Sequence, residues 1–411
     1  MRDRTDHAPS LSSAAAPIGK KHTNWLVRPH QDPMLPDVAR QFPRQDSMKA
    51  ALFNPIRYSG PSPAGWPVAP SAYDLEIGRR SMLGGLENLQ LGDELGFDWV
   101  TVAEHHYAGF SLTPNPMVLA GALTQLVKRA KIALLGPTVP ILNPVRVAEE
   151  YAMLDNLTGG RVVAGLLRGT PNEYVTYNIN PAESRDRFEE ALALIRRAWT
   201  EPEPFGWQGR FYQYRSVAVW PRVVQSPYPA LYMSGSSPES GAMAARNHVG
   251  LGLAFTTVPL ASQAARFYRE EADKLGWRPS IDQVLYRMGF HVAETDEQAM
   301  ADLVESGAAK PHVGLTMANK AVLAGAMSSG YFGKAAEEQK ERVAPRDAAE
   351  RIEQGQILLG SPETIWKQIC RVRDQVGAGI LDLFPIVPIA DRTRRSIELF
   401  GGRLLPRLHE N

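Results

Sequence analysis

Residues 132–169 read IALLGPTVPILNPVRVAEEYAMLDNLTGGRVVAGLLRG. Ile132–Val139 is an apolar run that predicts a strand. Pro144–Leu157 predicts a helix, and Thr158-Gly159-Gly160 is its glycine stop. Val162–Leu167 predicts the next strand, which ends on Arg168-Gly169. The same alternation runs outward from this stretch. Upstream, Ala50–Ile56 predicts a first strand, then a Pro/Gly/Ser-rich loop and a helix through Leu83–Leu95. Phe97–Ala103 and Val118–Lys128 predict the second strand and its helix.

Downstream, Asn180 is an N-cap candidate, with Pro181 at the first helical position and Glu183 completing a capping-box-like start. Phe188, Leu192, Ile195 and Trp199 follow at helical spacing. Pro202–Tyr228 reads as irregular. Ala230–Met233, Leu251–Phe255 and Gln283–Val292 predict strands five to seven, the first two followed by helices from Pro238 and over Ala261–Leu275 and the seventh by one starting near Thr295. Gly379–Val387 predicts the eighth strand, between helices Pro362–Val376 and Arg392–Phe400. Eight strands alternating with helices predict an α/β fold, a (β/α)8 TIM barrel over 48–411. A doubly wound sheet would leave the strand count unexplained, and no GxGxxG follows the first strand. Residues 1–47 read as an N-terminal extension, rich in Pro, Ala and Ser. The Gly-, Ala- and charge-rich stretch at about 306–355 reads as a lid-like insertion after strand 7.

The chain has 411 residues, and its 45 basic and 44 acidic residues nearly cancel. That balance gives no support for a nucleic-acid or membrane-surface role. No apolar run approaches the ~20 residues of a membrane span, and a cytoplasmic protein is expected. Cys370 is the sole cysteine, so no internal disulfide forms; a small buried hydrophobe is expected there.

Three strand ends carry chemistry, and in a parallel barrel they converge on one face. Ala103–Tyr107 reads AEHHY. Side chains alternate along a strand, so Glu104 and His106 share one side and His105 takes the other. An imidazole there can move a proton near neutral pH; a structural Glu–His bridge between strands is the plainer alternative. Adjacent histidines diverge, and without an HxH or HExxH pattern no metal site is expected. Arg168 ends an apolar strand beside Gly169, suited to a phosphate or carboxylate. Arg185 lies on the core-facing stripe of its helix, which calls for an acidic partner or a bound phosphate. Ser234–Pro238 (SGSSP) ends a strand and opens a helix, where hydroxyls, N–H groups and the helix dipole favour an anion. A plain cap accounts for Ser237 but not for Gly235 and Ser236.

Taken together, these pieces resemble the bacterial luciferase-like family of flavin monooxygenases. The resemblance runs from about Met48 to Phe400 and rests on AEHHY, on Leu134–Gly169, on ESRDRFEEAL at Glu183–Leu192, on SGSSPES at Ser234–Ser240 and on LLGSPETIWKQI at Leu358–Ile369. It implies a TIM barrel that binds reduced FMN at its mouth and uses O2 to oxygenate a small organic substrate through a C4a-peroxyflavin. It also implies a separate NAD(P)H-dependent flavin reductase and a homodimer. By position, Arg168, Gly169 and Arg185 would hold the phosphate with Gly235, Ser236 and Ser237. Asn143 would lie near the isoalloxazine. His105 would be the acid or base, supported by Glu104 and His106. Leu167 stands where the luciferases proper carry a cysteine, so light emission is not implied, and Pro171 gives the phosphate loop room for another path. An F420-dependent oxidoreductase of the same fold, a non-catalytic flavin-binding subunit and a metal-dependent hydrolase are the alternatives.

Overall fold

Small and branched apolar residues build strands short enough to close a circle. The computed structural model describes residues 47–61, 63, 65–309, 324–325, 328 and 346–410. The expected N-terminal extension and most of the expected insertion lie outside the described residues. Eight parallel strands form the barrel: β1 (Lys49–Phe53), β2 (Trp99–Val102), β3 (Lys131–Leu134), β4 (Val162–Leu166), β7 (Leu231–Ser234), β8 (Gly250–Ala254), β9 (Val284–Val292) and β11 (Ile380–Pro385). They pair in that order, and β11 returns to β1 with Lys49 opposite Ile380, which closes the ring.

Alternation divides the strand residues between two cores. Ala51, Trp99, Ala133, Val163, Tyr232, Leu285 and Ile380 form one buried cluster, the filling of the barrel. Leu52, Val100, Val102, Ile132, Leu134 and Ala164 belong to a larger cluster with helix residues. The helices that cover this outer face include α1 (Leu75–Leu95), α2 (Pro116–Leu126) and α3 (Pro144–Thr158). Asn115 and Asn143 cap α2 and α3, each followed by proline. Gly159 ends α3 in the left-handed region at φ 63°, as the glycine stop predicts.

Inside the barrel, Asp382 on β11 is fully buried. Its Oδ1 accepts from the Thr101 hydroxyl at 2.6 Å, and its Oδ2 accepts from Arg287 Nε at 2.6 Å. The Arg287 guanidinium also lies 3.7 Å from the centre of the Phe53 ring. Side chains from β1, β2, β9 and β11 thus meet at one carboxylate. Near the opposite end of the strands, Lys49 pairs with Asp282, whose carbonyl accepts from the Tyr232 hydroxyl at 2.7 Å.

Several expectations are corrected. Element ends differ by a few residues; α1 begins at Leu75 rather than Leu83, because Asp74 caps it through the Ile77 N–H. The stretch 202–228 holds an antiparallel hairpin, β5 (Phe205–Gln208) with β6 (Gln213–Val217), separate from the barrel. A short helix, α4 (Pro171–Thr176), precedes Asn180; Asn180 caps only the 3-10 turn Pro181–Glu183, and α5 (Ser184–Thr200) starts after it. A ninth parallel strand, β10 (Ile357–Gly360), pairs with the far half of β9. Cys370 is half-buried rather than buried.

The hairpin is fastened to α5. Glu190 accepts from Trp207 Nε1 at 3.2 Å and from the Phe211 and Tyr212 N–H groups at 3.0 Å. The Tyr214 hydroxyl reaches Asn143 Oδ1 at 3.0 Å.

Removing the Asp382 charge strands a buried guanidinium. Asp382→Ala is expected to cost about 3–5 kcal/mol of unfolding free energy, and Asp382→Leu combined with Arg287→Met much less. Urea denaturation of the two variants checks this; a loss below about 1 kcal/mol for Asp382→Ala would refute the role given to the carboxylate.

Candidate active site

The strand ends put Glu104, His105 and His106 just past β2, and alternation separates them as the sequence predicts. Glu104 and His106 are both buried, with His106 Nε2 3.2 Å from Glu104 Oε1. The other Glu104 oxygen accepts from the Thr138 N–H at 3.3 Å. The His106 ring meets Tyr177 edge-on at 5.2 Å, and its carbonyl accepts from Trp66 Nε1 at 2.9 Å. Glu104 and His106 therefore form a buried polar wall. His105 turns the other way. Its Nδ1 lies 3.5 Å from Glu173 Oε1, within ion-pair reach but not aligned as a hydrogen bond. The ring packs edge-on to Phe110 at 5.6 Å. With Nδ1 facing the carboxylate, Nε2 is the nitrogen left for a ligand.

Glu173 is a residue the sequence reading missed. It sits on α4 and is nearly fully buried. It accepts from the Thr170 N–H at 2.6 Å and from the Thr170 hydroxyl. Burial pushes its carboxyl upward as the largest single influence. His105 and Thr170 together outweigh burial and hold it below the ordinary 4.5. The signal was in the sequence: Thr170-Pro171-Asn172-Glu173 has the spacing of a capping box with proline at the first helical position.

The second group of candidates gathers between β4 and β7. These strands are paired, with Leu166 opposite Met233. Arg168 and Gly235, each two residues further on, leave the barrel side by side. Arg168 Nη1 donates to the Ser184 hydroxyl at 3.2 Å, at the first residue of α5, and Arg185 follows next on that helix. Ser236 and Ser237 are buried at the start of α6 (Pro238–Arg246). Ser237 caps α6 through the Ser240 N–H at 3.3 Å, so the plain cap reading holds for that hydroxyl. The two glycines have steric reasons. Gly169 has φ 84°, and a Cβ there would stand 2.3 Å from Thr138 Cγ2. A Cβ on Gly235 would stand 2.2 Å from Ser240 Cβ, and its N–H is used by the Gly252 carbonyl at 3.0 Å.

Asn143 stands apart from both groups. It is exposed at the start of α3, and its Oδ1 accepts from Val145, Arg146 and Tyr214. Only its Nδ2 remains for a ligand. Among the described residues, no three His, Cys, Asp or Glu side chains are grouped to hold a metal ion. Among the described residues, no helix is long and apolar enough to cross a membrane.

The sequence model of the luciferase-like monooxygenase family matches residues 84–378. The chain is 24% identical over 346 residues to 4-hydroxyprotoasukamycin monooxygenase of Streptomyces nodosus subsp. asukaensis, covering 80% of this chain and 87% of that protein. Of the next three curated relatives the chain spans about half the length, 45% to 57%. Among solved structures, the oxygenating constituent of 3,6-diketocamphane monooxygenase from Pseudomonas putida, in complex with FMN, superposes with a TM-score of 0.68 at 19% identity, over 88% of this chain and 98% of that one. An F420-dependent secondary alcohol dehydrogenase superposes with 0.65, also at 19% identity, over 88% and 99%.

Glu173 supplies a pH-dependent contribution. Its folded pKa lies below the unfolded one, so the stability it adds is present above the ordinary carboxylate range and is lost as pH falls through the folded value. Glu173→Gln is expected to lower stability by about 1–3 kcal/mol near neutral pH. The gap to the native chain should narrow on acidification below 4.5, the ordinary value. Urea unfolding of both proteins across that range checks it; a gap independent of pH would contradict the assignment.

Proposed function

The chain belongs to the luciferase-like monooxygenase family, and we propose that it is the oxygenase component of a two-component system, using reduced FMN and O2 to oxygenate a small organic substrate. The observation that supports this reading is the register of β4 and β7, by which Arg168 and the SGSSP turn leave the barrel as neighbours, with Arg168 reaching Ser184 at the start of the helix that carries Arg185. A phosphate needs cations and hydroxyl donors held in place, and this corner has both. Bound there, reduced flavin supplies the electrons for oxygen activation. On this reading Arg168 and Arg185 hold the phosphate with Ser236, while Ser237 keeps the start of α6 in place. Asn143 contributes at most its Nδ2 amide.

His105 is the proton-handling group. The Glu173 carboxylate favours the Nδ1–H tautomer, which leaves Nε2 to accept or return a proton at the reacting atoms. Glu104 and His106 satisfy one another and keep the wall behind the reaction dry. A separate NAD(P)H-dependent reductase would deliver the reduced flavin, and the oxygenase would act as a homodimer. The F420 dehydrogenase has the same fold, so the barrel alone does not choose the cofactor; the arginines and the EHH triplet favour FMN.

Anaerobic titration with reduced FMN, followed by oxygen, tests the proposal. Saturable binding and slowed reoxidation of the bound flavin support it; absence of FMN binding with binding of F420 would replace it by hydride transfer. Arg168→Ala is expected to weaken FMN binding by roughly tenfold or more, since a charge-assisted bond contributes about 1.5–3 kcal/mol. His105→Ala should leave FMN affinity near that of the native chain while product formation per bound flavin falls by about 10²-fold or more. Normal turnover per bound flavin in that variant would make His105 a binding residue instead.

A further inference from the structure

Over the Phe110 ring that meets His105 lies a cation that neither the fold nor the flavin reading uses. Arg57 is in the loop after β1. Its guanidinium carbon stands 5.0 Å from the centre of the Phe110 ring, and its Nε is buried without a hydrogen-bond partner. Among the described residues no carboxylate pairs with it. Among the described residues, the one other charge that acts on it is a second guanidinium, Arg351 on the short helix Ala348–Glu353, whose Nη1 donates to the Ala308 carbonyl at 3.0 Å. Burial first, and Arg351 second, lower the Arg57 pKa to about 10. A half-buried guanidinium that stacks on a ring, faces a second positive charge and has no acid beside it among the described residues is costly in the empty protein. Such an arrangement persists where a bound anion offsets it.

We propose that the mouth takes a substrate with one carboxylate on an apolar or aromatic body, the carboxylate held by Arg57 and the body lying along Phe110 beside His105. The surroundings argue for that shape. Phe110 meets His105 at 5.6 Å and Phe255 at 6.5 Å, and Phe255 meets Phe384 at 5.9 Å. This wall offers ring faces, not hydroxyls. Phe255 is 46% exposed and holds the left-handed backbone at φ 51°, unusual for an aromatic residue and concentrated at binding sites. The phosphate corner differs: there Arg168 has a serine hydroxyl, a neighbouring arginine and a helix start around it. A planar carboxylate against a guanidinium, with an aromatic floor, matches Arg57 better than a dianion that needs several donors. The overall charge balance of the chain hides this local excess.

The inference rests on the reading that oxygenation takes place at this mouth, and the test separates the two. The full-length protein is titrated calorimetrically with 4-ethylbenzoate and with its neutral counterpart 4-ethylbenzamide, with and without oxidised FMN, alongside Arg57→Met and Arg57→Lys. The acid is expected to bind at least about tenfold more tightly than the amide. Arg57→Met should bring the acid down to the level of the amide, and Arg57→Lys should keep part of the preference. Equal affinities in the native chain, no binding of either compound, or a preference that survives Arg57→Met would each overturn the proposal. FMN titration of the same samples is read separately: a carboxylate preference without FMN binding would leave the anion site standing and remove the flavin reading.

Discussion

A charge with no access to water must find its counter-charge inside, and Asp382 meets that demand at the centre of the barrel. Its two oxygens take a hydroxyl from β2 and a guanidinium nitrogen from β9, and the same guanidinium covers Phe53 of β1. Shifting β9 or β11 by one residue would turn Arg287 or Asp382 toward the helix layer. The barrel is therefore fixed in register by a polar contact, although most of its filling is apolar. Everything at the mouth depends on that register. Leu166 opposite Met233 is what brings Arg168 beside the SGSSP turn, and it holds only while the ring is closed in this way.

The mouth divides into two chemical halves around His105. One half is built from the β4 and β7 exits and is rich in hydroxyls and guanidinium groups. The other is lined by Phe110 from the loop after β2, Phe255 from the β8 exit and Phe384 at the end of β11. Glu104, His106 and Thr138 close the space behind with satisfied polar groups. An enzyme that must hold a charged cofactor and an organic molecule against one another needs such a division. The imidazole at the border, steered by Glu173, can serve both.

Much of this was legible in the sequence, for reasons that can be named. Strands that are buried on both faces read as continuous apolar runs, so β2, β3 and β4 are visible, and with them the positions of the residues just past their ends. Alternation alone separated His105 from Glu104 and His106. What escaped was of two kinds. Glu173 was hidden because its role depends on a short helix; the Thr-Pro-Asn-Glu start was present but lay in a stretch read as loop. The β5–β6 hairpin is hard to read because its strands are short: Phe205 and Trp207 alternate, but over only four residues in a Pro- and Gly-rich stretch. β10 is four apolar residues, too few to distinguish from a helix entry. Asn143, which the resemblance places near the isoalloxazine, has its side-chain oxygen engaged as the cap of α3, a role that the Asn-Pro start already signals.

The hairpin also stiffens the frame behind the mouth. Glu190 fastens it to α5, and Tyr214 fastens it to the start of α3, so it bridges the two helices on either side of the β4 exit. Trp199 adds a direct tie, donating to the Ala148 carbonyl of α3 at 2.9 Å. The helix that carries Ser184 and Arg185 is thus splinted along its length before any ligand arrives. A corner assembled in advance loses little ordering entropy on binding, so on the proposed function a phosphate would be caught and released there without rebuilding the protein around it. If the proposed use of a diffusing reduced cofactor holds, stiffness on the outer surface becomes a kinetic asset at the mouth.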